Sequence, residues 1–206
     1  MPFDSKINDK SMDDNYIELT PPPSCFIESI RDIGYSLETA IADIIDNSIS
    51  AEANNIKINI DFNDKKNDFI LEIIDDGFGM NREELIKAMT IGSKNPTHKR
   101  AKNDLGRFGL GLKTASFSQC RQLTVESFKS GKSTSMTWDL DLVRQKNAWV
   151  VRKNFYVDRE IGTKIIWNKI DRTKLEINSV YTNSILNNIC EHLSLVFHRF
   201  IDGSSS

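Results

Sequence analysis

Apolar residues recur at helical spacing in one early segment of the chain and at strand spacing in the next two. The helical segment has one apolar face formed by Leu37, Ala40, Ile41, Ile44 and Ile45. Residues 54–62 alternate apolar and polar positions, which predicts a strand with one buried face. Residues 69–74 are almost continuously apolar, which is typical of a central strand.

Capping residues mark the ends of three predicted helices in this half of the chain. Ser24 is suited to cap a short helix that ends at Gly34 in a left-handed conformation. Ser36 is suited to cap the apolar-faced helix, and Asn81 is suited to cap a further short helix after the second strand.

The second half of the chain predicts a helix, four strands and a final helix. A glycine-rich turn enters the first of these helices, and the last helix covers residues 178–200. The strands are predicted at residues 121–128, 133–140, 148–155 and 162–170, with a hairpin turn at 129–133. Runs of strands after helices favour the α+β class, with one largely antiparallel sheet covered by helices on one face.

The composition is that of an ordinary soluble globular protein of 206 residues, with a net charge of −2. That charge argues against a uniformly basic nucleic-acid binder. No apolar run approaches the roughly 20 residues of a membrane helix, and the polar N-terminus does not resemble a secretory signal. The three cysteines are widely spaced and form no CxxC pair, so we expect reduced thiols in a cytoplasmic protein without a structural zinc site or a membrane partner.

We expect three parts: a flexible N-terminal arm at residues 1–20, one domain at 21–201 and a short tail at 202–206. Within the domain, residues 91–107 are polar, contain several basic residues and show no clear period. That length suits a lid or a binding loop, although a solvated loop is the plainer interpretation.

Polar residues interrupt the apolar-faced helix at one point. Asp43, Asp46 and Asn47 are spaced three and four residues apart, so they share a face beside the apolar one. A carboxylate can take a proton from an attacking water, and an amide oxygen suits Mg²⁺, which binds few protein ligands. A solvated helix face would explain the same residues.

A glycine motif, Asp-Asp-Gly-Phe-Gly at residues 75–79, ends the second strand. An ionised Asp75 is suited to accept a hydrogen bond from an exocyclic amine such as N6 of adenine, and the glycines allow a base to approach closely. A simple hairpin turn is the alternative, but a helix rather than a strand follows.

Two further glycine motifs lie later in the chain. Residues 106–113, Gly-Arg-Phe-Gly-Leu-Gly-Leu-Lys, lead into a helix, whose first N–H groups can bind phosphate. This is not a Walker A loop, because Leu112 separates the last glycine from Lys113. A flexible glycine-rich loop is the alternative. The pair Gly162-Thr163 opens the last strand and carries little information by itself.

In their order and spacing, the segments DIIDN, DDGFG, GRFGLGLK and GT resemble the GHKL ATPase superfamily of gyrase B, the heat-shock chaperone, histidine kinases and MutL. The resemblance spans residues 24–169. The stretches AIADIIDNS and GLGLKTAS are most similar to the MORC and bacterial MORC-like group, with MutL next. The resemblance to the superfamily implies a two-layer α/β sandwich, the Bergerat fold, with a mixed, mostly antiparallel sheet. It also implies a domain that binds Mg²⁺ and ATP and hydrolyses ATP to ADP.

The resemblance also implies roles by motif position. Asp43 is then the general base, Asn47 the Mg²⁺ ligand and Asp75 the adenine-recognising carboxylate, with Thr163 supporting the same region through a water. Residues 91–107 are then the ATP lid. The further nucleotide contacts it implies are Gly77, Gly79, Met80, Lys94, Gly106, Arg107, Phe108, Gly109, Leu110, Gly111, Leu112 and Lys113.

Many members carry Glu at the position of Asp43, and Asp is one methylene shorter. We therefore expect slow hydrolysis, because the carboxylate reaches less far toward the attacking water. The resemblance implies an ATP-gated switch with an ATP-dependent homodimer, inside a larger protein that contacts DNA. Since the chain ends at residue 206, we expect an N-terminal fragment without the domain that supplies a lysine to the γ-phosphate.

Three other functions remain open at this point. A nucleotide-binding module with little hydrolysis follows if Asp43 is too short to act as base. A histidine-kinase-type domain is disfavoured, because all three histidines lie after the first glycine motif. A chaperone-type ATP-binding domain fits the lid, but the chain contains nothing else of a chaperone.

Overall fold

The computed structural model describes residues 19–63, 68–92, 111–154, 160–172 and 179–201. The helices in these ranges are α1 (Pro23–Arg31), α2 (Leu37–Ser50), α3 (Arg82–Met89), α4 (Gly111–Gln119), α5 (Leu140–Lys146), α6 (Ser179–Val196) and α7 (His198–Ile201). The strands are β1 (Ile56–Asn63), β2 (Asp68–Asp75), β3 (Cys120–Lys129), β4 (Lys132–Asp139), β5 (Arg152–Asn154) and β6 (Thr163–Ile170). None of the described helices is long and apolar enough to cross a lipid bilayer.

The described strands form one sheet in the order β1-β2-β6-β3-β4-β5, and each neighbouring pair is antiparallel. Alternate residues of a strand face opposite sides of the sheet. Leu71, Trp167 and Leu123 lie opposite one another in β2, β6 and β3, and all three are fully buried. Helices α2 and α4 pack against these three strands. The predicted α+β sandwich is confirmed.

A polar row crosses the same face of the sheet at one end. Asp75, Thr163, Ser127 and Thr134 are successive partners in β2, β6, β3 and β4. Each lies four residues along its strand from a core position, so the row faces the helix layer. Four polar residues thus lie side by side at the edge of the apolar core.

The predicted helix ends are confirmed at three positions. Ser36 and Asn81 accept hydrogen bonds from backbone N–H groups in the first turns of α2 and α3. Gly34 has a φ of +83°, which is the expected left-handed conformation. The prediction for α1 is wrong at its start, since the N-cap is Pro22 and not Ser24. Proline suits the beginning of a helix because the first N–H groups have no partner within it.

Helix α5 is a correction to the predicted strand at residues 133–140. The strand ends at Asp139, whose carboxylate caps α5 by accepting the N–H groups of Asp141 and Leu142 at 3.1 and 3.3 Å. The sequence Trp-Asp-Leu-Asp-Leu keeps the alternation of a strand through this point. Because the alternation continues past Asp139, the sequence pattern did not predict that this residue is the N-cap of α5.

Two further boundaries differ from the predictions. Strand β5 covers residues 152–154, whereas residues 148–151 of the predicted strand are not in a strand. The predicted last helix is divided at Phe197 into α6 and α7. Phe197, at this division, is 6% exposed although its neighbours are exposed.

Candidate functional site

Asp75, the last residue of β2, is held by groups from three parts of the fold. Its Oδ1 accepts the backbone N–H of Gly77 at 3.0 Å and that of Thr163 at 3.1 Å. Its Oδ2 accepts the hydroxyl of Ser48, on α2, at 3.0 Å. The residue is 5% exposed. A carboxylate that is this buried needs such hydrogen bonds, and they fix its direction.

Ser127 supports the same region from β3, which is separated from β2 by β6 in the sheet. Its fully buried hydroxyl accepts the N–H of Met80 at 2.8 Å and lies 2.8 Å from the hydroxyl of Thr163. The end of the glycine loop is thereby attached to the sheet. Neither Ser127 nor Ser48 was predicted, because a single serine carries no signal until the strand register and helix packing place it.

Two glycines of the Asp-Asp-Gly-Phe-Gly motif are required by the protein's own backbone. A Cβ on Gly77 would lie 2.6 Å from the carbonyl oxygen of Ala51. A Cβ on Gly79, whose φ is +65°, would lie 2.0 Å from the carbonyl oxygen of Phe128. These glycines therefore allow two chain segments to approach each other, and the predicted close approach of a base stays a prediction.

Asp76, the second carboxylate of the motif, connects the end of β2 to the segment between α2 and β1. Its Oδ1 accepts the N–H groups of Asn54 and Asn55 at 2.7 and 2.9 Å, and its Oδ2 accepts the Asn55 side-chain amide at 2.8 Å. The hydrogen bond from the Asn55 side chain, followed by those from the backbone, lowers the pKa of Asp76. This residue has a structural role beside the candidate site.

Helix α2 presents the polar face that the sequence predicted. Asp43 and Asp46 are half-buried, and Asn47 is exposed. The Nδ2 of Asn47 donates to the backbone carbonyl of Asp43 at 2.8 Å, so its Oδ1 is directed away from the helix backbone. Burial, and then the negative charge of Asp43, raise the pKa of Asp46. Because Ser48 follows Asn47 and bonds to Asp75, the polar face and the buried carboxylate adjoin.

Helix α4 begins at Gly111, where an added Cβ would meet no described atom within 4 Å. The described residues therefore do not by themselves require glycine at this position. Leu112 is half-buried against the core. Lys113 is 1% exposed, and its Nζ donates to the carbonyl of Ala88 in the last turn of α3 at 2.7 Å. The structure thus places this cation between α3 and α4, and its contact with phosphate stays a prediction.

Several predicted parts lie outside the described residues. They include residues 1–18 of the arm, most of the predicted lid and the tail. The individual nucleotide contacts concerned are Lys94, Gly106, Arg107, Phe108, Gly109 and Leu110. Their roles stay predictions.

The oxygen donors on α2 fit a magnesium ion better than a metal held by many side chains. Within the described ranges, no three His, Cys, Asp or Glu side chains are grouped to hold a metal. The outward Oδ1 of Asn47 is a hard oxygen donor. Mg²⁺ binds through one or two such groups and completes its coordination with water and substrate phosphates.

Comparison with known proteins identifies the type of site. A sequence model of the histidine kinase-, DNA gyrase B- and HSP90-like ATPases matches residues 35–174. The chain belongs to this family. The match contains α2, the Asp75 motif, Gly111 and Thr163, so the predicted GHKL superfamily is confirmed and the domain is of an ATP-binding type.

A curated relative supports the narrower resemblance. Over 98 residues the chain is 38% identical to the protein named ATPase morc-1 of Caenorhabditis elegans. The aligned part is 48% of this chain and 11% of that protein. The domain is therefore MORC-like, as the AIADIIDNS and GLGLKTAS stretches predict.

Proposed function

We propose that this domain binds ATP with Mg²⁺, hydrolyses it slowly to ADP and phosphate, and acts as a switch in a larger MORC-like protein. The observation that carries the proposal is the convergence of Ser48, Gly77 and Thr163 on the carboxylate of Asp75. In an ATPase of this family, a carboxylate fixed in this way is suited to accept the exocyclic amine of adenine.

Asp43 is the proposed general base. As water attacks the γ-phosphorus, a new O–P bond forms, the bond from phosphorus to the bridging oxygen breaks, and the water's proton passes to the Asp43 carboxylate. General-base catalysis contributes about 10²–10⁴-fold. The short Asp side chain supports a rate toward the lower end of what the family's Glu would give.

Asn47 and α4 are the proposed groups for the metal and the phosphates. The Oδ1 of Asn47 would hold Mg²⁺, which supplies neutralisation of the phosphate charge. The first N–H groups of α4 point along the helix axis at its N-terminus and would bind phosphate, and Gly111 has no Cβ to obstruct the approach.

ATP turnover of two matched variants tests the assignment of the base. We expect Asp43→Asn to lower kcat about 100-fold while ATP binding in calorimetry stays within a few fold. Asp46→Asn, one turn along the same helix, is the control and should keep most of the activity. Equal losses in both variants would remove Asp43 from the role. Mg-dependent ATP binding without any turnover in the unaltered chain would favour a nucleotide-binding module instead.

The switch is proposed to be ATP-dependent pairing of two copies, and the parent protein is proposed to associate with DNA. Both ideas are supported by the family resemblance alone. Sedimentation velocity tests the pairing: the sedimenting mass should double with a non-hydrolysable ATP analogue and Mg²⁺, and should not change with ADP. A cytoplasmic location is also proposed, and the free state of Cys25, Cys120 and Cys190 supports it.

A further inference from the structure

Strand β1 forms one edge of the sheet, and among the described residues its single neighbour is β2. The N–H of Asp76 donates to the carbonyl of Asn55 at 3.3 Å, one step beyond the last opposite pair of β1 and β2. Antiparallel strands bond at every second opposite pair, so residues 57, 59 and 61 are the ones bonded to β2. The backbone N–H and C=O groups that point away from the sheet therefore belong to Ile56, Ile58, Ile60 and Phe62.

The two faces of β1 differ in chemistry. The side chains on the helix side are half-buried and pack against the core, and they are those of Ile56, Ile58, Ile60 and Phe62. On the other face, Lys57 and Asp61 are exposed. Asn59 lies between these two charges, and its side-chain amide donates to Glu72 of β2 at 3.2 Å. An added strand would extend an apolar face on one side and a charged face on the other.

The residue order of β1 is symmetric in chemical type about Asn59. Lys57 lies two positions before it and Asp61 two positions after it, and the positions one and three residues away are apolar on both sides. When two copies of β1 pair antiparallel about Asn59, Lys57 of each copy lies opposite Asp61 of the other. Directly opposite charges stabilise an antiparallel pair. Moving one copy by two residues in either direction places both charges opposite asparagines, so the charges select this register.

We infer that a second copy of this chain pairs along β1, antiparallel and centred on Asn59, so that the two sheets become continuous. A two-fold axis perpendicular to the sheet relates the copies and keeps both helix layers on the same side. The outward N–H groups of each copy then donate to carbonyl groups of the other, which is how an open sheet edge binds a further strand.

This contact goes beyond the proposed function. No residue of β1 is among the proposed nucleotide contacts, so the contact forms without ATP and is separate from the proposed ATP-dependent pairing. Each copy would then have two surfaces for other copies, and the parent protein could assemble beyond a pair.

Sedimentation velocity of two charge variants, over a range of concentrations and without nucleotide, is the first test. Lys57→Glu places like charges opposite each other at two positions of the interface, and Asp61→Lys does the same with the other sign. We expect the Kd for self-association to rise about 10-fold or more in each variant. An equimolar mixture of the two variants should recover the association of the unaltered chain, because every charge then lies opposite its counter-charge.

The control is Lys153→Glu, an exposed charge on β5 at the other edge of the sheet, and it should leave the Kd unchanged. Recovery in the mixture cannot come from misfolded variants, since mixing does not repair a fold. Weak association in both variants without recovery in the mixture would overturn the inference, as would an unaltered chain that stays monomeric at every concentration. Association that appears only after residues 1–18 are removed would also overturn it, and would assign that segment to the edge.

Hydrogen exchange of individual amides locates the contact. As the concentration rises, the N–H groups of Ile58 and Ile60 should gain protection, whereas those of Lys57 and Asn59 are already bonded to β2 and should change little. Asp61→Lys should abolish the gain. Equal changes at all four amides would overturn the inference. The alternating gain together with an absence of ATP binding would support the contact and reject the proposed function alone.

Discussion

The N–H of Thr163 donates to the carboxylate of Asp75 across 88 residues of sequence, at a distance of 3.1 Å. The two residues are opposite each other in the antiparallel pair of β2 and β6. In this arrangement the sheet itself orients the carboxylate, since the donor is a backbone group. Substitutions around this bond give the first two predictions.

Asp75→Asn should keep the fold but weaken ATP binding. The amide oxygen can still accept from Gly77 and Thr163, whereas the charged acceptor proposed for adenine is lost. A hydrogen bond to a charged group contributes about 1.5–3 kcal/mol, which is about 10- to 100-fold in Kd. Calorimetry with ATP measures it. Asp76→Asn is the control, and its ATP affinity should be unchanged. Equal weakening in both variants would contradict a specific role for Asp75.

Gly162→Ala should be much more destabilising than Gly131→Ala. Both glycines have positive φ, +63° and +76°, so both variants carry a strain of about 1–2 kcal/mol. A Cβ at Gly162 would also lie 2.0 Å from the carbonyl oxygen of Asp75, whereas at Gly131 it would meet no described atom within 4 Å. Urea denaturation measures the difference. Equal free energies of unfolding in the two variants would show that the backbone at Asp75 shifts to accommodate the added methyl group.

Ser127→Ala should lower the free energy of unfolding by about 1–3 kcal/mol, because the partly buried N–H of Met80 loses its acceptor. ATP affinity should fall as well, since the glycine loop is no longer held to β3. Ser194→Ala removes an exposed hydroxyl bond in α6 and is the control, with a change within about 0.5 kcal/mol. A loss of stability without any change in ATP binding would make Ser127 purely structural.

Lys113→Met distinguishes the two roles open to this lysine. The carbonyl of Ala88 loses its bond to the amino group, so we expect a lower midpoint of thermal unfolding. If the amino group also serves phosphate, the Kd for ATP should rise while the Kd for adenosine does not. Calorimetry with both ligands measures this. Equal changes for ATP and adenosine would assign Lys113 to the packing of α3 against α4 alone.

The ion pair between Glu84 and Lys129 should make stability depend on acid pH. The hydrogen bond from Lys129, followed by that from the Asn81 backbone, lowers the pKa of Glu84 below its usual 4.5. The stabilisation is therefore present above pH 4.5 and lost as pH falls through the lower folded-state value. In denaturation experiments, the free energy of unfolding of Glu84→Gln should be lower than that of the unaltered chain at neutral pH. This deficit should shrink in acid.

Lys129→Met should reproduce that shrinking deficit, because it removes the other half of the pair. Both side chains are partly exposed, so each deficit should be within about 1 kcal/mol. A deficit of Glu84→Gln that stays constant into acid would contradict the ion pair, because the deficit would then not depend on the charge of Glu84.

Local patterns were sufficient for the starts of α2 and α3 and for the first two strands. Ser36 and Asn81 cap their helices as predicted, because capping depends on residues three positions apart. The same local view failed at Asp139, where an alternating sequence continues across the start of α5. It also failed at Phe197, where the last helix is divided although the apolar residues continue at helical spacing.

Local patterns likewise predicted some residues of the candidate site and missed others. Asp43, Asn47 and Asp75 were predicted because each occupies a motif whose residue types suggest chemistry. Ser48 and Ser127 were not, since a serine acquires a role only from the groups placed opposite it. The structural requirement for glycine at position 77 was not predicted either, because Ala51, which a Cβ at that position would contact, lies in another segment of the chain.

The sequence by itself determined the family, the α+β class and the order of the motifs, because these depend on residue type, period and spacing along the chain. Only the tertiary structure decided which groups hold the Asp75 carboxylate. Ser48 and Thr163 lie far from Asp75 in the chain, and the geometry of their hydrogen bonds is set by helix packing and strand register, which no local pattern encodes.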